Sequence, residues 1–479
     1  MNWLSLPPEL RNMILERLLD HKGIAPYASV SKEWRPVIEK RNFSHLKLNT
    51  TCLGFLAQLA EEQTAQIDHI WLNVKLKSYT CGVCGSDESL TRSLLNNGIV
   101  ATSVASLFDI LANWNWKEAE LDRHLTLELN TYSPSDSEHW FKYCYFGTPG
   151  EDKFEVLAQS GRVHDPHHGW WHGRNTRPPP NGALRRPFKP YSASFYRDGQ
   201  ELPLVYAVTK FILRRQCRRQ LDPWALSYLW SKLPRLKEIC YEPWQLLQGP
   251  SNRLWEIGYE RIMSLSLQAS IEKVTIFEDF NEKCLDLLQR PQSPVLYPAP
   301  DRVRVPTPAV GAAFAARSRQ LEHLSVAFLV DARDFFNNCQ SHWRWNRLRS
   351  LWLTSRAMSK TTARETNELL KRAAMISLNM PKLKKMVLWN GSKEEACSFT
   401  YCQSDDASLV WKGTWDLMLE DEVLDAWRAV VEVEVEKQVL TDEIKSHGDA
   451  IKYLGLQSVV DEVSLQQIRA ENNIDQLYT

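Results

Sequence analysis

One spacing of apolar residues recurs along the chain, with a second apolar residue three positions after the first and a third five positions after it. The six occurrences are Ile67, Ile70 and Leu72; Leu236, Ile239 and Tyr241; Ile271, Val274 and Ile276; Leu321, Leu324 and Val326; Leu348, Leu351 and Leu353; and Leu383, Met386 and Leu388. The last two positions alternate, as in a strand with one buried face. Each occurrence predicts a strand, and residues 125–129 predict another.

From Leu236 onward, the anchors are separated by 35, 50, 27 and 35 residues. Such lengths hold a helix and loops that return the chain to a parallel neighbour. A helical face precedes Pro381 and is formed by Leu370, Ala373, Ala374, Ser377 and Leu378. The units resemble a leucine-rich-repeat solenoid, although one gap alone has the usual length of about 20 to 29 residues and the family's fixed Asn or Cys is missing. The alternative is a globular α/β domain with an ordinary parallel sheet.

The first 48 residues have a denser apolar pattern. Leu10, Ile14 and Leu18 recur at helical spacing after two prolines that can start a helix, and Gly23 ends it. After a short segment, Ser31 fits the N-cap of a further helix. The apolar side of that helix is formed by Trp34, Val37 and Ile38. A three-helix unit this small supplies only a few kcal/mol from its own core, so some of these residues should contact another body.

This N-terminal pattern resembles an F-box. The matching residues are Leu6, Pro7, Pro8, Glu9, Leu10, Ile14 and Leu18, followed by Val30, Ser31 and Trp34. In that family, the module docks on the S-phase kinase-associated adaptor of an SCF-type cullin–RING E3 ubiquitin ligase, and the rest of the chain selects protein targets. The resemblance implies an adaptor-binding domain at 1–48 and a substrate-recognition region at 49–479. The alternative is an ordinary N-terminal helix.

The likeness to fungal F-box proteins extends over nearly the whole chain. It is carried by residues 241–244, 277–280, 380–383, 389–391, 411–415 and 446–451. It implies a mixed α+β or α/β fold in which a three-helix F-box precedes an irregular leucine-rich-repeat-like α/β solenoid. The family's targets are mostly unassigned, so the resemblance names none.

Two segments interrupt the apolar pattern. Residues 161–200 contain Pro178-Pro179-Pro180, several arginines and few aliphatic residues, which predicts a flexible insertion that is dispensable for folding. Residues 291–308 contain six prolines and predict an extended connector.

Composition and charge argue against binding to nucleic acid or a membrane. The 58 basic and 58 acidic residues cancel, so no global field favours nucleic acid or a membrane. Charge is nevertheless uneven, with 12 basic and 3 acidic residues at 162–219 against 5 and 15 at 415–479. We expect these segments to attract each other within the fold; the alternative is that they present opposite charges to a partner. The ten cysteines are sparse, and no signal peptide or long apolar run is evident, which predicts a cytoplasmic or nuclear protein.

The candidate metal ligands form no complete set in the sequence. Cys81 and Cys84 have the spacing of half a zinc site, but a closed site needs four ligands and no second such pair is present. The remaining candidates are at unsuitable spacings: Cys52, His139, Cys144, Cys397 and Cys402. A denser group consists of His164, His167, His168 and His172, beside Trp170 and Trp171. We expect it in a solvated loop, and we expect no metal or cofactor.

Catalysis is not expected either. Residues 446–449 contain the side-chain types of a hydrolytic triad, but a triad brings distant residues together, so a turn is predicted there. Phosphate-binding loops and nucleophile elbows are absent from the sequence. An enzyme built on Cys81 and Cys84 or on the histidine group is the remote alternative.

The interpretation is a noncatalytic substrate receptor. Residues after predicted parallel strands meet at one edge of a sheet, which suits target recognition. The candidate target-binding residues there are Trp244 and Trp389 as aromatic anchors and Arg356 as a polar one. Both tryptophans could instead be packing residues. The rival function is a noncatalytic F-box scaffold or regulatory protein that acts outside ubiquitin transfer.

Overall fold

A computed structural model describes residues 3–19, 23–114, 123–142, 163–191, 195, 200–246, 249–281, 305–403 and 407–472. A twelve-stranded sheet organises these residues, and a two-stranded ribbon lies apart from it. The strands are β1 His45–Asn49, β2 His69–Lys75, β3 Leu125–Tyr132, β4 Trp170–Trp171, β5 Arg174–Asn175, β6 Val208–Leu213, β7 Glu238–Tyr241, β8 Lys273–Phe277, β9 His323–Ala327, β10 Ser350–Thr354, β11 Lys385–Ser392, β12 Glu395–Cys402, β13 Ser408–Gly413 and β14 Val435–Val439.

The α-helices alternate with most of these strands. They are α1 Pro8–Leu18, α2 Trp34–Ser44, α3 Leu53–Leu56, α4 Glu61–Thr64, α5 Leu90–Ala112, α6 Asn181–Arg185, α7 Pro223–Ser231, α8 Gly249–Arg261, α9 Pro308–Ser318, α10 Ala332–Asn337, α11 Ala363–Ser377, α12 Asp421–Arg428, α13 His447–Leu454 and α14 Glu462–Asn472. The broad α/β class expected from the sequence is confirmed.

Strands of the large sheet lie side by side in chain order, with β4 and β5 left out. All neighbours from β1 to β11 are parallel; β11, β12 and β13 form an antiparallel meander, and β14 is parallel to β13. Because parallel neighbours need a crossover, the long gaps between the anchors are occupied largely by helices. This topology has the carboxyl ends of nine consecutive strands along one edge.

The recurring apolar spacing does mark strands, and all six occurrences coincide with β2, β7, β8, β9, β10 or β11. The residues at the middle position of this spacing pair with one another on neighbouring strands from β6 to β11. Their order across the sheet is Phe211, Ile239, Val274, Leu324, Leu351 and Met386. Every member is fully buried. Phe211 has the same spacing with Val208 and Leu213, so strand β6 carries a seventh occurrence.

Both faces of the central strands are buried, which the alternating pattern did not predict. Leu351 and Leu353 join the large core beneath the crossover helices, whereas Trp352 joins a second core with C-terminal residues. That second core includes Ile451, Leu454, Leu465 and Ile468 of α13 and α14. Apolar residues at consecutive strand positions are typical of a sheet that is covered on both sides.

The N-terminal module has two α-helices with a five-residue 3₁₀ helix, Ala25–Ser29, between them. The hydroxyl of Ser31 accepts a hydrogen bond from the Trp34 N–H at 3.2 Å, but α2 begins at Trp34, so the residue at its N-cap position is Glu33. Gly23 has a left-handed φ of 76°. Helix α2 leads directly into β1, which pairs with β2, so the boundary expected at residue 48 falls inside the sheet.

The described part of the 161–200 segment is packed into the body. Trp170, Leu184 and Tyr191 are each at most 2% exposed. Residues 163–191 contain a 3₁₀ helix, the β4–β5 ribbon and α6. A few large side chains thus anchor a segment whose overall composition is polar. Of the histidine group expected in a solvated loop, His164, His167 and His172 are exposed, whereas His168 is buried. In the proline-rich connector, residues 291–304 lie outside the described part and Pro308 starts α9.

Helix α5 is long and apolar enough to cross a membrane by length and composition alone. In the structure, Val104, Leu107 and Phe108 are buried in the large core. A core helix of a globular domain passes the same length and composition test, and the C-terminal half of α5 packs in this way, whereas Leu90, Leu94 and Leu95 near its start are exposed. On the face before Pro381, Leu370, Ala373 and Ala374 are buried as expected, whereas Leu378 is 54% exposed.

Candidate functional site

The N-terminal module exposes large apolar residues at positions of the F-box-like pattern. Leu10 is 46% exposed and Ile14 is 40% exposed; one helical turn apart, they lie on the same side of α1. Val30 is 58% exposed. We call these three residues the docking face. Within the part of the chain that the structure describes, their side chains lie outside both apolar cores and can contact another protein.

Polar contacts hold α1 beside the start of α2. Arg11 Nη1 lies 3.0 Å from the Glu33 carboxylate, which also accepts a hydrogen bond from Trp3 Nε1 at 2.9 Å. The Trp3 ring meets the half-buried Trp34 ring edge-on at 5.2 Å. Trp34 thus serves partly as an internal packing residue. The contacts fix the docking face on a defined scaffold.

The other residues of the F-box-like pattern on or beside α1 are either exposed or half-buried. Pro7 and Pro8 are exposed at the start of α1, and Glu9 is exposed in its first turn. Leu6 and Leu18 are half-buried. Proline at these positions is compatible with a helix start because the first N–H groups have no partner within the helix.

The candidate target-binding residues divide into two groups. Trp389 is fully buried, with its ring centre 5.3 Å from that of Phe328. Trp244 is 2% exposed, and its Nε1 donates to the backbone oxygen of Arg215 at 2.6 Å. Both tryptophans are packing residues, so their prediction as exposed anchors is wrong. Arg356 alone is exposed.

The Trp244 ring is covered by Phe188 and by the guanidinium groups of Arg215 and Arg218. The C-terminal helices explain the burial of Trp389. A Cβ on Gly391, at the end of β11, would lie 2.4 Å from the Ala450 Cβ of α13. Only glycine permits so close an approach of helix to strand. The sequence places the strand ends on one edge correctly, but it does not show that a later segment covers part of that edge.

A buried ionic cluster lies where the C-terminal helices meet the ends of β6, β7 and β8. Arg215 donates to Asp279 and, at 2.7 Å, to Glu471; Arg218 also donates to Glu471. Arg214 Nη1 lies 2.8 Å from Asp461. The expected attraction between the basic 162–219 segment and the acidic C-terminal segment is confirmed by these pairs.

Two carboxyl groups in this cluster have opposite pKa shifts. Burial raises the pKa of Glu242 to about 7, although hydrogen bonds from Ser464 and the Arg215 N–H oppose the increase. Burial also acts to raise the pKa of Asp279, but the charge of Arg215 and a hydrogen bond with His447 hold it below its ordinary value. Both carboxyl groups are at most 1% exposed. A substrate has no access to them in this conformation.

The triad-like residues 446–449 lie at the start of a helix and not in an isolated turn between other elements. Ser446 is the N-cap of α13, with its hydroxyl 3.4 Å from the Asp449 N–H. His447 instead contacts Asp279, with 3.0 Å between Nε2 and Oδ1. The predicted turn is therefore the first turn of a helix. The adjacent Ser446 and His447 are directed to different partners.

An open notch remains at the carboxyl ends of β9, β10 and β11. It is lined by Pro306, Phe328, Val330, Asp331, Thr354, Ser355, Arg356 and Asn390, and encloses about 230 Å³ that includes open solvent. The Asp331 carboxylate accepts hydrogen bonds from the Ser355 hydroxyl at 2.6 Å and the Arg356 N–H at 3.1 Å. These bonds fix the backbone that carries Arg356. The notch itself has room for little more than a water molecule, so what it offers to a protein partner is the exposed Arg356 side chain.

The structure also completes a set of metal-binding residue types. Cys81 and Cys84 lie beside His139 and His168, and one possible ligand atom from each is within 4.8 Å of all the others. The neighbouring His164, His167 and His172 are not in this set. Sequence spacing did not indicate these partners because they come from two segments that are more than fifty residues away.

Comparison with known proteins gives a partial match. A family model described as "Family of unknown function (DUF6546)" matches residues 266–461. That stretch runs from just before β8 through α13. It includes the notch and excludes the docking face and the four possible metal ligands. A search of curated proteins finds no match to the chain.

Proposed function

We propose that this protein is a substrate receptor of an SCF-type cullin–RING E3 ubiquitin ligase. The observation that carries the proposal is the exposure of Leu10, Ile14 and Val30 at positions where an F-box contacts its adaptor. Large apolar side chains exposed at a protein surface are typical of an interaction site. In this account, the docking face binds the S-phase kinase-associated adaptor in the cytoplasm or nucleus.

The body would then hold the target. Its sheet, which we interpret as an irregular leucine-rich-repeat-like solenoid, leaves the notch around Arg356 open although the C-terminal helices cover neighbouring strand ends. A rigid element that carries an exposed polar residue suits recognition of a protein segment. The chain would contribute proximity between the target and a ubiquitin-loaded enzyme, and no chemical step of its own.

The rival proposal is a scaffold that binds the adaptor without delivering a target. Affinity capture distinguishes the two when the proteasome is inhibited. Wild-type protein is compared with the variant Leu10→Ala/Ile14→Ala, which should keep its targets and lose the adaptor. If the protein is a substrate receptor, the proteins captured with wild type are ubiquitinated, and the same proteins captured with the variant are unmodified. If it is a scaffold, the captured proteins are ubiquitinated to the same extent with wild type and with the variant.

A further inference from the structure

We infer that Cys81, Cys84, His139 and His168 together bind a zinc ion. The four residues come from three separate segments of the chain: the 3₁₀ turn Cys81–Val83 with the adjoining Cys84, the loop after Pro134–Asp136, and the 3₁₀ helix Pro166–His168. Two thiolates and two imidazoles are a common ligand set of structural zinc, which is bound tetrahedrally.

The distances fit such a tetrahedron. The Sγ atoms of Cys81 and Cys84 lie 3.3 Å and 3.4 Å from His168 Nε2. With Zn–S near 2.3 Å and Zn–N near 2.0 Å, the sulfur–nitrogen edge of a tetrahedron is about 3.5 Å. All four ligand atoms are within 4.8 Å of one another, so small adjustments bring each one to a common ion.

His168 is oriented as a metal ligand would be. Its Nδ1 lies 2.7 Å from the Asp165 carboxylate, which also contacts Lys142 Nζ at 3.1 Å. With the proton on Nδ1 donated to Asp165, Nε2 presents its lone pair to the two sulfurs. Metal-bound histidines commonly have such a carboxylate or carbonyl partner. For His139, the nearby acceptor is the backbone oxygen of Tyr79, 3.5 Å from Nε2.

Hydrogen bonds alone explain the arrangement less well. A neutral imidazole nitrogen has one lone pair, so the Nε2 of His168 cannot accept from both thiols at the same time. A cation at the centre would use all four side chains at once. His168 and Cys84 are 5% and 4% exposed, whereas Cys81 is exposed, so the cluster is largely buried but open to an incoming ion on one side.

A site with four protein ligands has no open coordination position, so its expected role is structural. It would join the 163–191 segment to the turn at Cys81. The same two parts are held by polar contacts: Arg186 Nη2 donates to the Val83 oxygen at 2.7 Å, and Arg185 contacts both carboxylate oxygens of Asp87 at 2.9 Å and 2.7 Å. Metal binding and these contacts would stabilise one packing of the segment.

The experiment measures zinc in the full chain after purification under reducing conditions from zinc-supplied cells. Elemental mass spectrometry should find one zinc per wild-type chain and loss of most of it in Cys84→Ser and His168→Gln. His164→Ala is the matched control, because His164 is an exposed histidine of the same segment outside the cluster, and it should retain the metal.

Spectroscopy keeps the test decisive if the ligand variants do not fold. Wild-type protein is depleted of metal by a chelator and loaded with Co²⁺. A cobalt–thiolate charge-transfer band, together with d–d absorption of tetrahedral strength, supports the site. Zinc-free wild type that also gives no such spectrum would overturn it, and so would a Cys81–Cys84 disulfide under the reducing conditions. Loss of zinc from the His164→Ala control would show that the metal is bound elsewhere.

Discussion

Arg215 donates a hydrogen bond to Glu471 at 2.7 Å, although the two residues are 256 positions apart in the chain. Both side chains are at most 1% exposed. The pair joins the end of β6 to helix α14 and so fastens the C-terminal segment onto the sheet. Since Arg218 donates to the same carboxylate, Glu471 is shared between two buried cations.

The first prediction is that Glu471→Ala lowers the free energy of unfolding by about 3 to 5 kcal/mol, because removal of one partner leaves a buried charge uncompensated. Urea denaturation measures the change. Glu462→Ala on the same helix is the control; Glu462 is exposed, and its loss should cost less than about 1 kcal/mol. Equal stabilities of the two variants would show that α14 is not anchored by this pair.

The second prediction concerns pH. The pKa of Glu242 is about 7 in the folded protein against an ordinary value of 4.5, so the folded state binds more protons between these two values. Its contribution to stability is complete below pH 4.5 and is lost as pH rises through 7. Glu242→Gln removes this titration. Relative to wild type, the variant should gain stability from pH 5 to pH 8, by up to about 3 kcal/mol.

Urea denaturation at several pH values measures that difference. Gln can keep the two hydrogen bonds from Ser464 and Arg215, which both reach one carboxylate oxygen, Oε2. A stability difference between variant and wild type that does not change with pH would contradict the raised pKa.

The third prediction uses two adjacent tryptophans in the segment 163–191. Trp170 is 1% exposed and Trp171 is 48% exposed. Trp170→Ala should lower the free energy of unfolding by about 3 to 5 kcal/mol through lost burial and a cavity, whereas Trp171→Ala should change it by less than about 0.5 kcal/mol. Thermal and urea unfolding provide the measurement. If both substitutions are neutral, the segment is the dispensable insertion that its composition predicts.

The strand framework was readable from the sequence because the sheet's periodicity is local. The strands that contain Ile239, Val274 and Leu324 are each predicted by apolar residues within five positions along the chain. The sequence of the strands did not predict that the second face of the sheet is covered, because the covering helices α13 and α14 lie far along the chain. The burial of Trp389 follows from that coverage, and no property of its own strand distinguishes it from an exposed anchor.

The charge distribution along the sequence predicted part of the same long-range packing. The opposite signs of residues 162–219 and 415–479 predicted their association, but they did not identify Arg215 and Glu471 as partners. The four possible zinc ligands were harder to find because spacing rules apply to continuous motifs. His139 and His168 reach Cys81 and Cys84 only through the fold. For these two histidines, residue type was the sole signal in the sequence, whereas the two cysteines also had the spacing of half a zinc site.

The fourth prediction tests the notch as a target site. Arg356→Glu should weaken binding of a captured target by about 30-fold, the equivalent of about 2 kcal/mol for a central contact, and leave adaptor binding unchanged. Arg364→Glu is the control; Arg364 is an exposed arginine on α11 outside the notch. Fluorescence anisotropy with the purified target measures both. Equal effects of the two charge reversals would place the target elsewhere.

Direct adaptor binding tests the central claim of an F-box docking module. Leu10→Ala/Ile14→Ala is compared by calorimetry with Leu254→Ala/Ile257→Ala, another exposed Leu and Ile pair, on α8. Wild type and the α8 variant should bind the purified S-phase kinase-associated adaptor alike, and the docking-face variant should bind at least about 30-fold more weakly, since exposed apolar anchors dominate such interfaces. Failure of wild type to bind, or unchanged affinity of the docking-face variant, would contradict the account.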